Sequence, residues 1–138
     1  MNITYANMLT VEEYCALRKS VEWSAIEENV VQQALSKSDF IISATVDGVK
    51  VGMARLMTDG TQALIMDVIV HPDYQKTGIG KTMMHKVMEY INDHLYKGQK
   101  VLVNLNATKG RESFYQQFGF EIRPTEKLGM GMAQWLEK

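Results

Sequence analysis

A glycine-rich segment between an apolar run and a long helical pattern holds the residues with the clearest chemical potential. Gln75, Gly78 and Gly80 stand in the pattern Gln-x-x-Gly-x-Gly, at the mouth of that helix. A helix N-terminus presents unpaired backbone N–H groups and the positive end of the helix dipole. Glycines remove the side chains that would keep a ligand away from those groups. The segment therefore predicts a cradle for phosphate, and specifically for a pyrophosphate-bearing ligand.

A second segment, residues 111–120, reads as a short helix followed by a strand. Phe114 and Phe118 are one helical turn apart and can bury together. Tyr115 points about 100° away from them by helix geometry. Gly119 suits the left-handed position that ends a helix. Tyr115 is thus either a packed aromatic residue whose hydroxyl is hydrogen-bonded within the protein, or a proton donor to a ligand.

These two segments, in this order and 31 residues apart from Gly80 to Arg111, resemble the two signatures of the GNAT N-acetyltransferases. The resemblance covers residues 40–123 well and the N-terminal forty residues loosely. A competing interpretation is a P-loop, because Gly80-Lys81-Thr82 matches the end of that motif. A P-loop requires a glycine where this chain has Gln75.

The GNAT resemblance implies acetyl-CoA as cosubstrate and direct transfer of the acetyl group to a primary amine. It assigns the backbone of Val68–Val70 to the pantetheine arm, an N–H near Val68 to the developing oxyanion, and Tyr115 to the role of general acid. The predicted cofactor-binding residues are Val68, Ile69, Val70, Gln75, Lys76, Thr77, Gly78, Ile79, Gly80, Lys81, Thr82, Asn106, Ser113, Tyr115 and Phe118.

Asp67 is the candidate for the second catalytic group. It stands in an apolar run directly before the expected oxyanion donor. A carboxylate there is costly unless it is satisfied or solvated in a cleft. Arylalkylamine N-acetyltransferases carry a histidine at the matching strand position. Asp67 is therefore predicted as base or as ammonium anchor, with the equally weighted alternative of a structural aspartate that pairs with Arg55 or bonds neighbouring backbone.

The acceptor is the least determined part of the prediction. The segments around residues 51–55, 67–68 and 129–132 resemble those of plant serotonin-type and related bacterial acetyltransferases, which favours an apolar or aromatic amine. The acceptor class is a small-molecule or peptide amine, and the predicted substrate-binding residues are Trp23, Met57, Asp67 and Met132.

The elements that must position these residues follow from hydrophobic periodicity and turn chemistry, including a capping box from Thr10 to Glu13 and a hairpin turn at Asp47-Gly48. The order β-α-α-β-β-β-α-β-α-β-β predicts an α/β (α+β) GNAT fold, a mixed sheet of about seven strands with splayed fourth and fifth strands and about four helices. Predicted strands span 2–5, 40–46, 49–56, 62–70, 101–105, 120–123 and 130–135, and predicted helices span 11–20, 27–36, 79–96 and a short stretch around 115.

Length and composition predict one domain over residues 1–138 and argue against several classes of partner, location and metal site. The net charge of −1 gives no sign of a nucleic-acid or membrane partner. A lone cysteine, Cys15, rules out an internal disulfide, and residues 1–5 lack a signal-peptide pattern, so a cytoplasmic location is expected. No residues have metal-ligand spacing. Two questions stay open: whether the chain forms a homodimer, and whether it is a non-catalytic CoA-binding or regulatory domain on the same fold.

Overall fold

The computed structural model describes all residues, 1–138, and they form two compact units, Met1–Asn106 and Ala107–Lys138. The first unit holds one five-stranded sheet in the order β1-β2-β3-β4-β5. The first four strands pair antiparallel and β5 lies parallel to β4. The strands are β1 Ile3–Ala6, β2 Phe40–Val46, β3 Val49–Thr58, β4 Gln62–Val70 and β5 Leu102–Leu105.

Three helices flank this sheet: α1 Val11–Ser20, α2 Glu28–Lys37 and α3 Ile79–Asp93. The predicted capping box at the start of α1 is confirmed, since Thr10 and Glu13 exchange side-chain-to-backbone hydrogen bonds. The predicted end of α3 at residue 96 is wrong. The helix ends at Asp93, and Tyr96, which would belong to an additional turn, is 79 % exposed and adds little packing. None of the helices has the length and apolarity that crossing a bilayer requires.

Both faces of the sheet are covered in the first unit. On one face, α1 and α2 bury Tyr14, Leu17 and Val31 against Met53 and Ile69. On the other face α3 packs so closely that a Cβ added at Gly52 would lie 3.1 Å from side-chain atoms of Ile79 and Met83. Successive residues of a strand point to opposite faces, and Gly52 and Met53 accordingly face different helices.

A bulge interrupts β4 at Asp67. The pairs Arg55↔Met66 and Met53↔Ile69 bracket it, so that two residues of β4 oppose the single residue between them on β3. Asp67 adopts φ 53°, which lies in the left-handed region. Pairing of β4 with β5 stops at Ile65. The remainder of β4 therefore has no strand neighbour on its β5 side, which agrees with the predicted parting of the fourth and fifth strands.

The second unit contains one short helix, α4 Glu112–Gln116. The strands predicted at 120–123 and 130–135 are absent, so the sheet has five strands rather than about seven. An alternating apolar pattern produces a strand only when a partner strand receives its hydrogen bonds. Here the apolar residues of the segment remain exposed instead: Ile122, Met130, Met132, Trp135 and Leu136.

Candidate active site

The glycine-rich segment joins β4 to α3 as predicted. Gly78 is the residue that precedes the helix, and its φ of 88° lies in the left-handed region that favours glycine. The Thr82 N–H donates to the Gly78 carbonyl and begins the helical ladder. The Gln75 side chain donates from Nε2 to the carbonyl of Val70 at 3.0 Å, which fixes the loop to the end of β4.

The N-terminus of α3 differs from those of α1 and α2. No acidic residue lies in its first turn, whereas α1 and α2 each carry at least one glutamate there; like α2, it has no side-chain cap. Its positive end is therefore uncompensated, and Lys81 adds a further cation. A Cβ built on Gly78 would meet no atom within 4 Å, so the space beside this turn is open. These features fit the pyrophosphate of acetyl-CoA.

The β4 bulge supplies the second part of the arrangement. Val68, Ile69 and Val70 lie on the stretch of β4 that follows the bulge and has no β5 partner. Ile69 has its side chain in the core, so only its backbone is available to a ligand. A strand edge of this kind offers backbone N–H and C=O groups to an extended ligand.

Asp67 lies at the centre of a largely buried polar cluster. Its Oδ2 accepts from the Tyr14 hydroxyl at 2.7 Å and from Arg55 Nε at 2.6 Å. Its Oδ1 lies 3.5 Å from Nη1 of Arg18. Burial, followed by the hydrogen bond to Asp67, raises the pKa of Tyr14 above its usual 10.0, so Tyr14 stays protonated and donates a hydrogen bond to the carboxylate.

Arg18 is held between aromatic rings at one side of this cluster. Its guanidinium carbon lies 5.9 Å from the ring centre of Tyr14 and 5.3 Å from that of Trp23. Nε and Nη2 both donate to the Ser24 carbonyl, at 3.1 and 2.8 Å. Tyr14 and Arg18 are not among the site residues predicted from the sequence. Their spacing of four residues on α1 places them on one helix face, which is the signal that was available.

Tyr115 is the central residue of the second unit. It is buried and makes edge contacts with Phe114 and Phe120, at centroid distances of 5.0 and 6.5 Å. The predicted Phe114–Phe118 contact is confirmed at 5.4 Å. Gly119 adopts φ 90°, as predicted for the end of the helix.

The Tyr115 hydroxyl has no hydrogen-bond partner. Every buried side-chain oxygen in the structure has one, so the hydroxyl oxygen of Tyr115 must be in contact with solvent. Burial of the residue raises the pKa of Tyr115 above 10.0, opposed by the charge of Arg111. A protonated hydroxyl that is free to donate is what a general acid needs.

The remaining predicted site residues are distributed over both units. Trp23 packs at the edge of the α1–α2 core, and Met57 on β3 is partly exposed. Asn106 is the last residue of the first unit, and Ser113 and Phe118 belong to the second. Met132 is 97 % exposed.

Comparison with known proteins identifies the family. The model of the GNAT acetyltransferase domain matches residues 37–122, which include both motifs. An uncharacterized N-acetyltransferase, ycf52, of Pyropia yezoensis is 33 % identical over 90 % of this chain and 70 % of its own length. The chloroplastic GCN5-related N-acetyltransferase 2 of Arabidopsis thaliana is 35 % identical over 69 % of this chain and 38 % of its own length.

A solved structure agrees with these sequence matches. A protein of unknown function from methicillin-resistant Staphylococcus aureus, described as a candidate acetyltransferase, superposes with a TM-score of 0.86 at 28 % identity, over 98 % of this chain and 100 % of that one. The family model covers more than half of the chain, and the fold, the glycine loop and the parted strands agree with it. The chain therefore belongs to the GNAT family and is an acetyltransferase of that type.

Proposed function

We propose that the protein transfers an acetyl group from acetyl-CoA to the nitrogen of a primary amine by direct attack, with Tyr115 as the general acid. The observation that carries this proposal is the path of β4. Beyond its bulge the strand has an open edge, and it leads through the glycine loop into an uncapped helix N-terminus. A long ligand with an extended arm and a pyrophosphate matches both features.

Acetyl-CoA, when bound, supplies the acetyl group as a thioester. The α3 N-terminus, with Gly78, Gly80 and Lys81, holds the phosphates. The open edge of β4 pairs with the extended arm, and the backbone N–H near Val68 donates to the oxygen on which negative charge develops. The Tyr115 hydroxyl holds the proton that the departing sulfur requires, and its raised pKa keeps that proton in place at neutral pH.

Asp67 has three open roles: base, ammonium anchor and structural partner. Its contacts favour the third role, because both carboxylate oxygens already face donors. A proton or an ammonium group arriving there would have to compete with Arg55 and Tyr14. The base and anchor roles remain predictions, and they are separated by the variant described in the Discussion.

Thermal unfolding and thiol release together test the function. Acetyl-CoA should raise the melting temperature by mass action on the folded state, and thiol should be released when an amine panel is added. Stabilisation without thiol release from any amine would favour the non-catalytic CoA-binding alternative. Stabilisation by ATP with Mg²⁺ and not by acetyl-CoA would favour the P-loop alternative.

Several properties of the whole protein remain predictions. The closer likeness to serotonin-type enzymes is one of them. A cytoplasmic location is another, and the Arabidopsis relative carries the description chloroplastic. A homodimer is a further prediction, as is the expected lack of nucleic-acid and membrane partners.

A further inference from the structure

The polar cluster around Asp67 carries an excess of positive charge. Arg18 and Arg55 both pair with Asp67, which is the only carboxylate that pairs with either of them. Tyr14 stays neutral because its pKa is raised. Two cations and one anion leave a net charge of +1. The side chains are only 14, 12 and 11 % exposed for Arg18, Arg55 and Asp67, so water screens this charge poorly.

The guanidinium groups of Arg18 and Arg55 differ in how many partners they have. Arg18 has the Ser24 carbonyl and two aromatic faces in addition to Asp67. Arg55 donates from Nε to Asp67 and from Nη1 to the Ser38 hydroxyl at a long 3.4 Å. Its Nη2 has no partner. Since no buried side-chain nitrogen in the structure lacks one, Nη2 is open to solvent.

The position of Arg55 connects this open donor to the proposed chemistry. Arg55 lies opposite Met66, at the edge of the β4 bulge. Its Nε is 2.6 Å from Oδ2 of Asp67. Asp67 directly precedes Val68, whose backbone N–H is the proposed oxyanion donor. A group bound at Nη2 would therefore lie beside the bulge that carries Val68, which is where an acceptor must be held.

We propose that Arg55, with Arg18 behind it, is an anion subsite for the acceptor, and that the acceptor is a primary amine that also carries a carboxylate or phosphate group. This inference rests on the proposed acetyl transfer. A guanidinium binds paired oxygens of carboxylates and phosphates with charge-assisted hydrogen bonds. Such an acceptor differs from the apolar amine that the sequence favours, and it would neutralise the charge that Asp67 leaves uncompensated.

Matched amines test the subsite. At saturating acetyl-CoA, kcat/KM from thiol release is compared for 4-aminobutyrate against butylamine, and for O-phosphoethanolamine against ethanolamine. We expect the anionic member of at least one pair to be better by about 10–100-fold, the size of a charged hydrogen bond. The two pairs separate carboxylate from phosphate. Equal or lower values for both anionic amines would overturn the proposal.

Direct binding keeps this test independent of turnover. Ligand-observed NMR with 4-aminobutyrate, butylamine, O-phosphoethanolamine and ethanolamine, in the absence of acetyl-CoA, should show tighter binding of an anionic member. The absence of any preference would overturn the subsite whether or not acetyl transfer is found. Missing stabilisation by acetyl-CoA and missing thiol release, combined with a clear anion preference, would instead overturn the proposed function alone.

Arg55→Gln supplies the residue-level test. Glutamine retains an amide donor for Asp67 and removes the charge, so the ratio of anionic to neutral amine should fall by about 10–100-fold. Lys19→Gln is the matched control, since it removes the same charge from an exposed position beside Arg18. A folded Arg55→Gln protein that keeps the full ratio would overturn the assignment. If this variant does not fold, the amine pairs on the unaltered protein decide.

Discussion

Arg55 donates from Nε to Oδ2 of Asp67 at 2.6 Å, across the β3–β4 pair at the point where β4 carries its extra residue. The bulge and the ion pair occur together for a physical reason. An additional residue turns the strand locally and re-aims a side chain. In an uninterrupted ladder that starts from Arg55↔Met66, Asp67 would oppose Ala54. The side chains of Arg55 and Asp67 would then point to opposite faces of the sheet.

Asp67→Asn should chiefly destabilise the fold. The change removes a charge that two mostly buried guanidinium groups share, so we expect the free energy of unfolding to fall by about 1–3 kcal/mol. Urea unfolding measures this loss. If Asp67 is instead the base, turnover should fall at neutral pH and recover partly at high pH. If it anchors the substrate ammonium, KM for the amine should rise with kcat unchanged.

Tyr115→Phe should preserve the fold and the stabilisation by acetyl-CoA while turnover falls about 10²–10⁴-fold, the usual contribution of general acid catalysis. The ring contacts with Phe114 and Phe120 do not involve the hydroxyl, so the second unit should keep its packing. Tyr96→Phe is the control, because Tyr96 is 79 % exposed. Unchanged turnover, when chemistry limits the rate, would remove Tyr115 from the mechanism.

Gly78→Val should abolish most of the melting-temperature increase that acetyl-CoA produces. A side chain at this turn enters the open space beside the α3 N-terminus and is also strained at φ 88°. Gly48→Val separates these two effects. Gly48 has a similar φ of 77° and equally open surroundings in the β2–β3 turn. Both variants should lose stability, and only Gly48→Val should keep its full response to acetyl-CoA.

Stability should decrease above about pH 10, where tyrosine ordinarily ionises. The pKa values of Tyr14 and Tyr115 are raised in the folded state, so between the ordinary and the raised value the folded chain binds more protons than the unfolded chain. The free energy of unfolding then falls as pH rises through this window. Urea unfolding from pH 9 to 11 should show a shallower decline for Tyr14→Phe. An identical slope would contradict the raised pKa of Tyr14.

Local chemistry in the sequence determined the helices and strands of the first unit and the two motifs. The Asp47-Gly48 turn closes the predicted two-residue hairpin, with both residues at positive φ. The capping box begins α1, and Gly78 begins α3 at the predicted position. Each of these features depends on residues a few positions apart, so residue type and spacing were enough to predict it.

Tertiary structure decided what surrounds Asp67 and what became of the last strands. Tyr14 and Arg18 reach Asp67 from 53 and 49 residues away along the chain, and no local pattern encodes such a meeting. The alternating residues near Met130 and Met132 formed no strand, because alternation specifies one face of a strand and supplies no partner for its backbone. The sequence offered Arg55 as one alternative partner for Asp67, whereas the contacts of Asp67 with Tyr14 and Arg18 are properties of the packed chain that no local pattern contains.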